Sequence, residues 1–285
     1  MLDTTLRNFR LAGVALDAER KQRFVRLVNR LAGYNRVLIA FSGGVDSAFL
    51  AIAAADVLGD NALAVTALSP SLPPADKTDA DALIKKFNFR HRYIETDEFA
   101  DPEYLKNPPT RCAICKRTLT RALQNVAAAE GIDSIAFGAT VDDATDYRPG
   151  EAVALELGAV FPLRDALLSK ADIRAALKAL DVSIWNKPAS ACLSSRVPYG
   201  SPLSIEIMER IAAAETAVRA LGFRVSRVRH HGDVARIEVG SDELERMSGS
   251  IAKQASAELK RIGYRYVALD LDGYRTGSLN ESLNG

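Results

Sequence analysis

The chain has 285 residues, 48% apolar and 26% charged, which is enough apolar material for a packed core and, at roughly 150 residues per domain, for about two domains. Its 37 lysines and arginines against 36 aspartates and glutamates leave a net charge of +1, which excludes a protein that coats nucleic acid through overall charge. No apolar run reaches the ~18 residues of a membrane span, the N-terminus carries charge from Asp3 onward and is no secretory signal, and three cysteines are too few for a disulfide scaffold; the composition points to a soluble, cytoplasmic protein.

In chain order, Asp17 to Ala32 reads as a helix, with Asp17 as N-cap and Phe24, Leu27, Val28 and Leu31 at helical spacing. Arg36–Phe41 is a short apolar run and reads as a buried strand. A glycine-bearing loop, Ser42–Ser47, follows it, and then a helix that Gly59 stops after Leu58. The alternation continues with a strand over Ala62–Leu68, a helix from Ala75 to Phe87 and a strand over His91–Thr96. A helix from Thr118 to Glu130 and a strand over Asp133–Phe137 come next. Ser169 and Asp172 have capping-box spacing and open a helix to Leu180. Strands alternating with helices predict a doubly wound, mostly parallel α/β sheet over residues 1–185.

From Trp185 the pattern changes. A loop rich in proline, serine and alanine leads to a helix from Ser204 to Leu221, and Arg224–Arg229 and Val234–Val239 then read as a β-hairpin. Helical segments between Asp242 and Ile262 precede a last strand, Tyr266–Leu271. Residues 186–285 are therefore expected to form a smaller α+β domain that binds substrate or mediates oligomerisation.

Ser42-Gly43-Gly44-Val45-Asp46-Ser47 sits beyond the carboxyl end of a strand and at a helix start, where α/β sheets bind ligands. The paired glycines let backbone approach a phosphate, helix N–H groups and the two serines donate to it, and Asp46 suits a Mg²⁺ on the same phosphates. The loop is neither a Walker A loop nor a dinucleotide fingerprint.

Cys112 and Cys115 form a C-x-x-C at the start of a helix placed near Lys116. Spacing alone leaves three readings open: a redox pair, half of a zinc site, or, together with Cys192, the three thiolates of a 4Fe–4S cluster with one open iron. Cys192 is flanked by Lys187 and Arg196, whose charges favour a thiolate. On the hairpin, Arg227 and Arg229 share a face, as do Arg236 and Glu238, and guanidiniums so placed suit a salt-bridged surface or a phosphate. Asp142, Asp143 and Asp146 crowd one loop and suit either Mg²⁺ binding or helix capping.

The hexapeptide at 42–47 resembles the pyrophosphate loop of the PP-loop, or N-type ATP pyrophosphatase, superfamily. Beyond it, Arg111-Cys112-Ala113-Ile114-Cys115-Lys116, Asp142 to Gly150, Trp185 to Gly200, Arg227 to Glu238 and Leu269 to Glu281 are similar to motifs of the LarE family within that superfamily. The chain departs from the family at Gly138-Ala139-Thr140 and Phe161-Pro162. The resemblance implies an ATP-dependent sulfurtransferase that forms AMP and pyrophosphate. Its implied substrate is the pyridinium-3,5-dicarboxylate mononucleotide, whose carboxylates become the thiocarboxylates of the nickel-pincer cofactor.

The resemblance further implies an ATP site made of Ala40, Phe41, Ser42, Gly43, Gly44, Val45, Asp46, Ser47, Thr66 and Gly138, and catalysis by Asp46, Cys192 and Ser195. Substrate contacts are implied at Arg196, Arg229, Arg236 and Arg275, and a 4Fe–4S cluster carrying sulfide on Cys112, Cys115 and Cys192. ATP, Mg²⁺ and the cluster are thus the expected cofactors. Other enzymes of nickel-pincer synthesis are the expected partners, and a homo-oligomer, with a hexamer as one form, is the expected assembly; no membrane or nucleic-acid partner is expected. The alternatives are sacrificial donation of the Cys192 sulfur, a cluster-dependent tRNA thiolase on the same loop, and a zinc-stabilised nucleotide-binding module without enzymatic activity.

Overall fold

The computed structural model describes residues 17–145, 149–188 and 190–275. The N-terminal stretch, Asp146, Arg148 and the part of the last motif from Thr276 to Glu281 lie outside the described residues. The chain forms two compact units. One comprises the chain up to Ser69, Ala75–Glu98 and Cys112–Lys187; the other comprises Pro70–Pro74, Phe99–Arg111 and Pro188 onward. A single cut at 185/186, as the sequence suggests, therefore misses two short segments that join the second unit.

In the first unit, helix α1 (Ala18–Ala32) starts where the Asp17 carboxylate accepts the Arg20 N–H at 2.8 Å. Strand β1 (Val37–Ala40) and helix α2 (Val45–Leu58) follow, then β2 (Ala62–Leu68), α3 (Pro74–Phe87) and β3 (His91–Glu95). Helix α4 (Pro102–Leu105) belongs to the second unit, and α5 (Arg111–Glu130) then precedes β4 (Ser134–Ala136) in the first. Helices α6 (Pro149–Glu156), α7 (Pro162–Asp165) and α8 (Lys170–Ala179) complete the run, and α8 carries the full Ser169–Asp172 capping box.

The strands form one parallel sheet in the order β3-β2-β1-β4. Alternation along β1 explains its two covered faces. Val37 and Ile39 join Phe24, Leu27, Phe49 and Ile173 on one side, while Leu38 joins Leu63, Val65, Leu123 and Phe137 on the other. The chain winds outward from β1 to β3 and returns to place β4 on the far side of β1. The crevice beyond the carboxyl ends of β1 and β4 is therefore the topological switch point of the sheet.

In the second unit, α9 (Ile205–Ala220) opens at the Ser204 cap, and β5 (Ser226–His231) pairs antiparallel with β6 (Val234–Val239). Helix α10 (Gly249–Ile262) leads to β7 (Tyr266–Leu269), which runs parallel to β6 and makes the sheet mixed. Val228, Ala235, Ile237 and Val239 pack with Ala214, Val218 and Leu259, so both long helices cover one face. Period-two alternation turns Arg227, Arg229, Arg236 and Glu238 to the other face. Among the described residues no helix is long and apolar enough to cross a membrane.

Candidate active site

The loop after β1 is shaped by what its glycines leave out. Gly43 has φ +73°, and a Cβ there would lie 2.7 Å from the Asp76 carbonyl oxygen and 3.2 Å from the Ala80 Cβ. The two serines close the loop: their hydroxyls are 3.1 Å apart, and Ser47 Oγ also accepts the Ser42 N–H at 3.2 Å and faces the Gly44 carbonyl at 3.1 Å. Gly44 is the N-cap of α2 and offers no capping side chain. A helix start without a side-chain cap leaves first-turn N–H groups available to an anion, and Asp46 stands in that turn.

Gly138 follows β4 and meets this helix start. A Cβ on Gly138 would lie 2.8 Å from Ser47 N and 2.9 Å from Asp46 C. The residues from Ala40 to Ser47 and Gly138 are thus gathered at the switch point.

Thr66 supports the loop from below. Its buried hydroxyl donates to the Phe41 carbonyl at 2.7 Å and lies 2.9 Å from His91 Nε2. With the threonine proton committed to Phe41, the ring nitrogen is the donor in the second bond. Burial pushes the His91 pKa down from 6.5 to about 4, so the ring is neutral at physiological pH. A histidine with a depressed folded pKa contributes stability that is present above its unfolded value and lost as pH falls through the folded one. Thermal unfolding temperature is therefore expected to drop between pH 6.5 and about 4 more steeply in the wild type than in His91→Gln. Parallel curves for the two proteins would remove His91 from this role.

Of the clustered aspartates, Asp143 is buried and caps its own loop, accepting from Thr140 N at 2.8 Å and Thr140 Oγ1 at 3.0 Å. Lys170 Nζ lies 2.7 Å from its other oxygen, and Asp142 accepts the Lys170 N–H at 2.7 Å. Both carboxylates are thus engaged in capping contacts.

Helix α5 starts at Arg111, several residues before the start near Lys116 read from the sequence, so Cys112 and Cys115 both lie within its first five residues. Cys112 is exposed, Cys115 and Cys192 are half-buried, and none of the three is in a disulfide. The first two belong to the first unit and Cys192 to the second. Among the described residues no group of three or more histidine, cysteine, aspartate or glutamate side chains is placed to hold a metal.

Cys192 is the N-cap of a short 3-10 turn, Leu193–Arg196. Its carbonyl accepts from Ser195 N at 3.0 Å, Ser195 Oγ at 2.8 Å and Arg196 Nη1 at 3.1 Å. Arg196 is 2% exposed and paired with Glu215 at 2.8 and 3.2 Å; it braces the turn rather than facing solvent. Arg229 makes a twofold bond to Glu238, at 2.9 and 2.8 Å, and donates to the Ser195 carbonyl at 2.9 Å. Arg236 is 38% exposed and lies 3.3 Å from Glu238 and 3.0 Å from Asp270. Arg275 lies 2.7 Å from Asp272, and Arg227 stands over the Tyr274 ring. Lys187, read from the sequence as a cation beside the thiol, is held by Asp76 and Asp79 at 2.9 and 2.6 Å within the first unit.

Sequence reasoning missed Glu215. Its signal was a lone acid inside the buried stripe of α9, between Met208, Ile211 and Val218.

Residues 18–106 match the family model described as NAD synthase. An uncharacterized protein of Synechocystis is 41% identical over 87% of this chain and 93% of its own length. The pyridinium-3,5-bisthiocarboxylic acid mononucleotide synthase of Lactiplantibacillus plantarum is 36% identical over 90% of this chain and 93% of its own length. A glutamine-hydrolysing GMP synthase component of Methanocella arvoryzae is 27% identical over 65% of this chain and 62% of its own length.

Proposed function

Because this chain belongs to the LarE family of ATP-dependent sulfurtransferases, we infer that it adenylates the carboxylates of pyridinium-3,5-dicarboxylate mononucleotide and converts them to thiocarboxylates. The observation that carries the ATP half of this reading is the meeting of Gly138 with the start of α2 at the β1/β4 switch point. A substrate carboxylate oxygen attacks the α-phosphorus, the bond to the β-phosphate bridge breaks, and pyrophosphate leaves into the Ser42–Ser47 loop. The carboxylate of Asp46 and the hydroxyls of Ser42 and Ser47 are hard oxygen donors that fit Mg²⁺, which supplies charge neutralisation for the leaving pyrophosphate. The acyl-adenylate then exposes its carbonyl to a sulfur nucleophile, and AMP departs. The chain's contribution is positioning and electrostatic complementarity.

For the sulfur step we propose Cys192 as the site, with Ser195 and Arg196 fixing its carbonyl. Arg236 and Arg275, two half-exposed arginines of this unit, are proposed to meet the phosphate of the mononucleotide, while Arg196 and Arg229 act through the turn they hold. All three cysteines are present, which supports a cluster-carried sulfide. The described residues gather no group of three metal-ligating side chains, so no step is written through a cluster, and donation of the Cys192 sulfur itself is the second reading. Family membership supports, as proposals, a homo-oligomer, a cytoplasmic location and partners in nickel-pincer synthesis. A net charge of +1 argues against the tRNA thiolase alternative.

The test is Asp46→Ala. Pyrophosphate release in the presence of substrate is expected to fall by about 10²-fold or more, since a phosphate-site charge acts in the transition state. Release at the wild-type rate would sink the assignment of this loop.

A further inference from the structure

The 3-10 turn behind Cys192 is gripped by a segment far away in sequence. Ser194, two residues after Cys192, is fully buried. Its carbonyl accepts from Arg111 Nη1 at 3.0 Å, and its hydroxyl lies 2.9 Å from Tyr104 Oη. Leu193 N donates to the Ser71 carbonyl at 2.8 Å. Asn107, also fully buried, donates from Nδ2 to the Val197 and Pro198 carbonyls at 3.3 and 2.8 Å, and its Oδ1 accepts from Arg111. The Asn107 carbonyl in turn takes the Gly200 N–H at 2.9 Å. Asn107 holds φ +55°, a conformation asparagine tolerates better than most residues.

Arg111 is the unusual member. It is 2% exposed, yet among the described residues its guanidinium pairs with no carboxylate. Its contacts are the Asn107 amide oxygen, the Ser194 carbonyl and the Tyr199 ring 5.4 Å away. Burying a cation without an acidic partner is costly, and an apolar side chain would fill the same space at lower cost. Directional donation to one carbonyl is what an apolar residue cannot supply.

We propose that Arg111, supported by Asn107 and Tyr104, is a positioning residue for sulfur transfer: it fixes the Cys192 turn through the Ser194 carbonyl. The same residue is the first of α5 and directly precedes Cys112 in the chain. This inference rests on the reading of Cys192 as the site of sulfur transfer.

The experiment compares Arg111→Met, Arg111→Lys, Tyr104→Phe and Cys192→Ala with the wild type, using ATP, Mg²⁺ and the dicarboxylate mononucleotide. It records pyrophosphate release, thiocarboxylate formed in one turnover, and site-resolved alkylation of Cys192 by iodoacetamide. In Arg111→Met, thiocarboxylate formation should fall by about 10- to 100-fold, as for a misplacement near 1 Å. KM for the mononucleotide and pyrophosphate release should stay as in the wild type, and the Cys192 alkylation rate should change. Arg111→Lys should recover part of the loss, and Tyr104→Phe should show a smaller loss of the same kind. Wild-type transfer in both Arg111→Met and Tyr104→Phe, with Cys192→Ala inactive, would overturn the positioning role alone. Equal loss of adenylation and transfer would also overturn it, as a general structural effect. Should Arg111→Met fail to fold, Tyr104→Phe decides: transfer must fall while adenylation persists. Full transfer in Cys192→Ala would instead overturn the underlying reading of Cys192.

Discussion

Gly138→Ala is expected to lower ATP-to-AMP turnover by up to about 10²-fold while the second unit stays folded. The added Cβ would sit 2.8 Å from Ser47 N, 2.9 Å from Asp46 C and 3.0 Å from Ser47 Cα. All three are backbone atoms, so no side-chain rotation relieves the clash. Ordinary carbon contacts lie near 3.5–4.0 Å, so the end of β4 and the start of α2 must part by roughly an ångström. A displacement of that size at a phosphate site costs up to about 10²-fold in rate. Gly43→Ala should act at the same site by a second route. It places a side chain at φ +73° and brings Cβ within 2.7 Å of the Asp76 carbonyl; the left-handed conformation alone costs roughly 1–2 kcal/mol. Formation of AMP, followed by chromatography beside a thermal unfolding curve, checks both variants. Wild-type turnover in Gly138→Ala would mean that the phosphates bind away from the β1/β4 crevice.

What the sequence revealed divides along a physical line. The Asp17 cap, the strand over Ala62–Leu68 and the Ser169 capping box rest on neighbours within four residues or on simple periodicity, and the structure shows all three. The Ser42–Ser47 loop is legible for the same reason: strand, glycines and helix start are contiguous. The sequence reading starts α5 only near Lys116 to Thr118. The structure starts the helix at Arg111, held by Asn107 and by Ser194, 83 residues away. No local pattern reports such a bond.

Arg196 shows the same limit from the other side. The family resemblance implies a substrate contact at Arg196, but its partner Glu215 lies on α9, and the pair is buried. Breaking such a pair typically costs roughly 3–5 kcal/mol, so Arg196→Ala would confound binding with folding. Likewise, nothing in the composition of Pro70–Pro74 or Phe99–Arg111 marks them as parts of the second unit. Their membership comes from contacts such as Leu193 N to Ser71 O.

The sulfur step admits the sharpest expected result. Cys192→Ala should eliminate thiocarboxylate formation while ATP is still converted to AMP. The substitution is clean because the bonds that shape the turn use the Cys192 carbonyl, which alanine retains. Cys112→Ala and Cys115→Ala preserve the helix, since both positions lie within the first five residues of α5 and alanine is the better helix former. These three variants separate the two sources of sulfur. If the thiolates act together in carrying sulfide, each variant should lose transfer, and the wild-type mass should be unchanged after reaction. If Cys192 gives its own sulfur, the thiolate attacks the acyl-adenylate, AMP leaves, and a thioester joins Cys192 to the substrate. Removal of the Cys192 Cα proton then breaks the Cβ–S bond, the electron pair leaves with the thiocarboxylate, and dehydroalanine remains. Each molecule turns over once and loses the mass of one H₂S at Cys192, while Cys112→Ala and Cys115→Ala keep transfer. Mass spectrometry of the reacted protein, with thiocarboxylate formed per molecule, distinguishes these outcomes. Full transfer by Cys192→Ala would exclude both routes and move the sulfur site elsewhere in the chain.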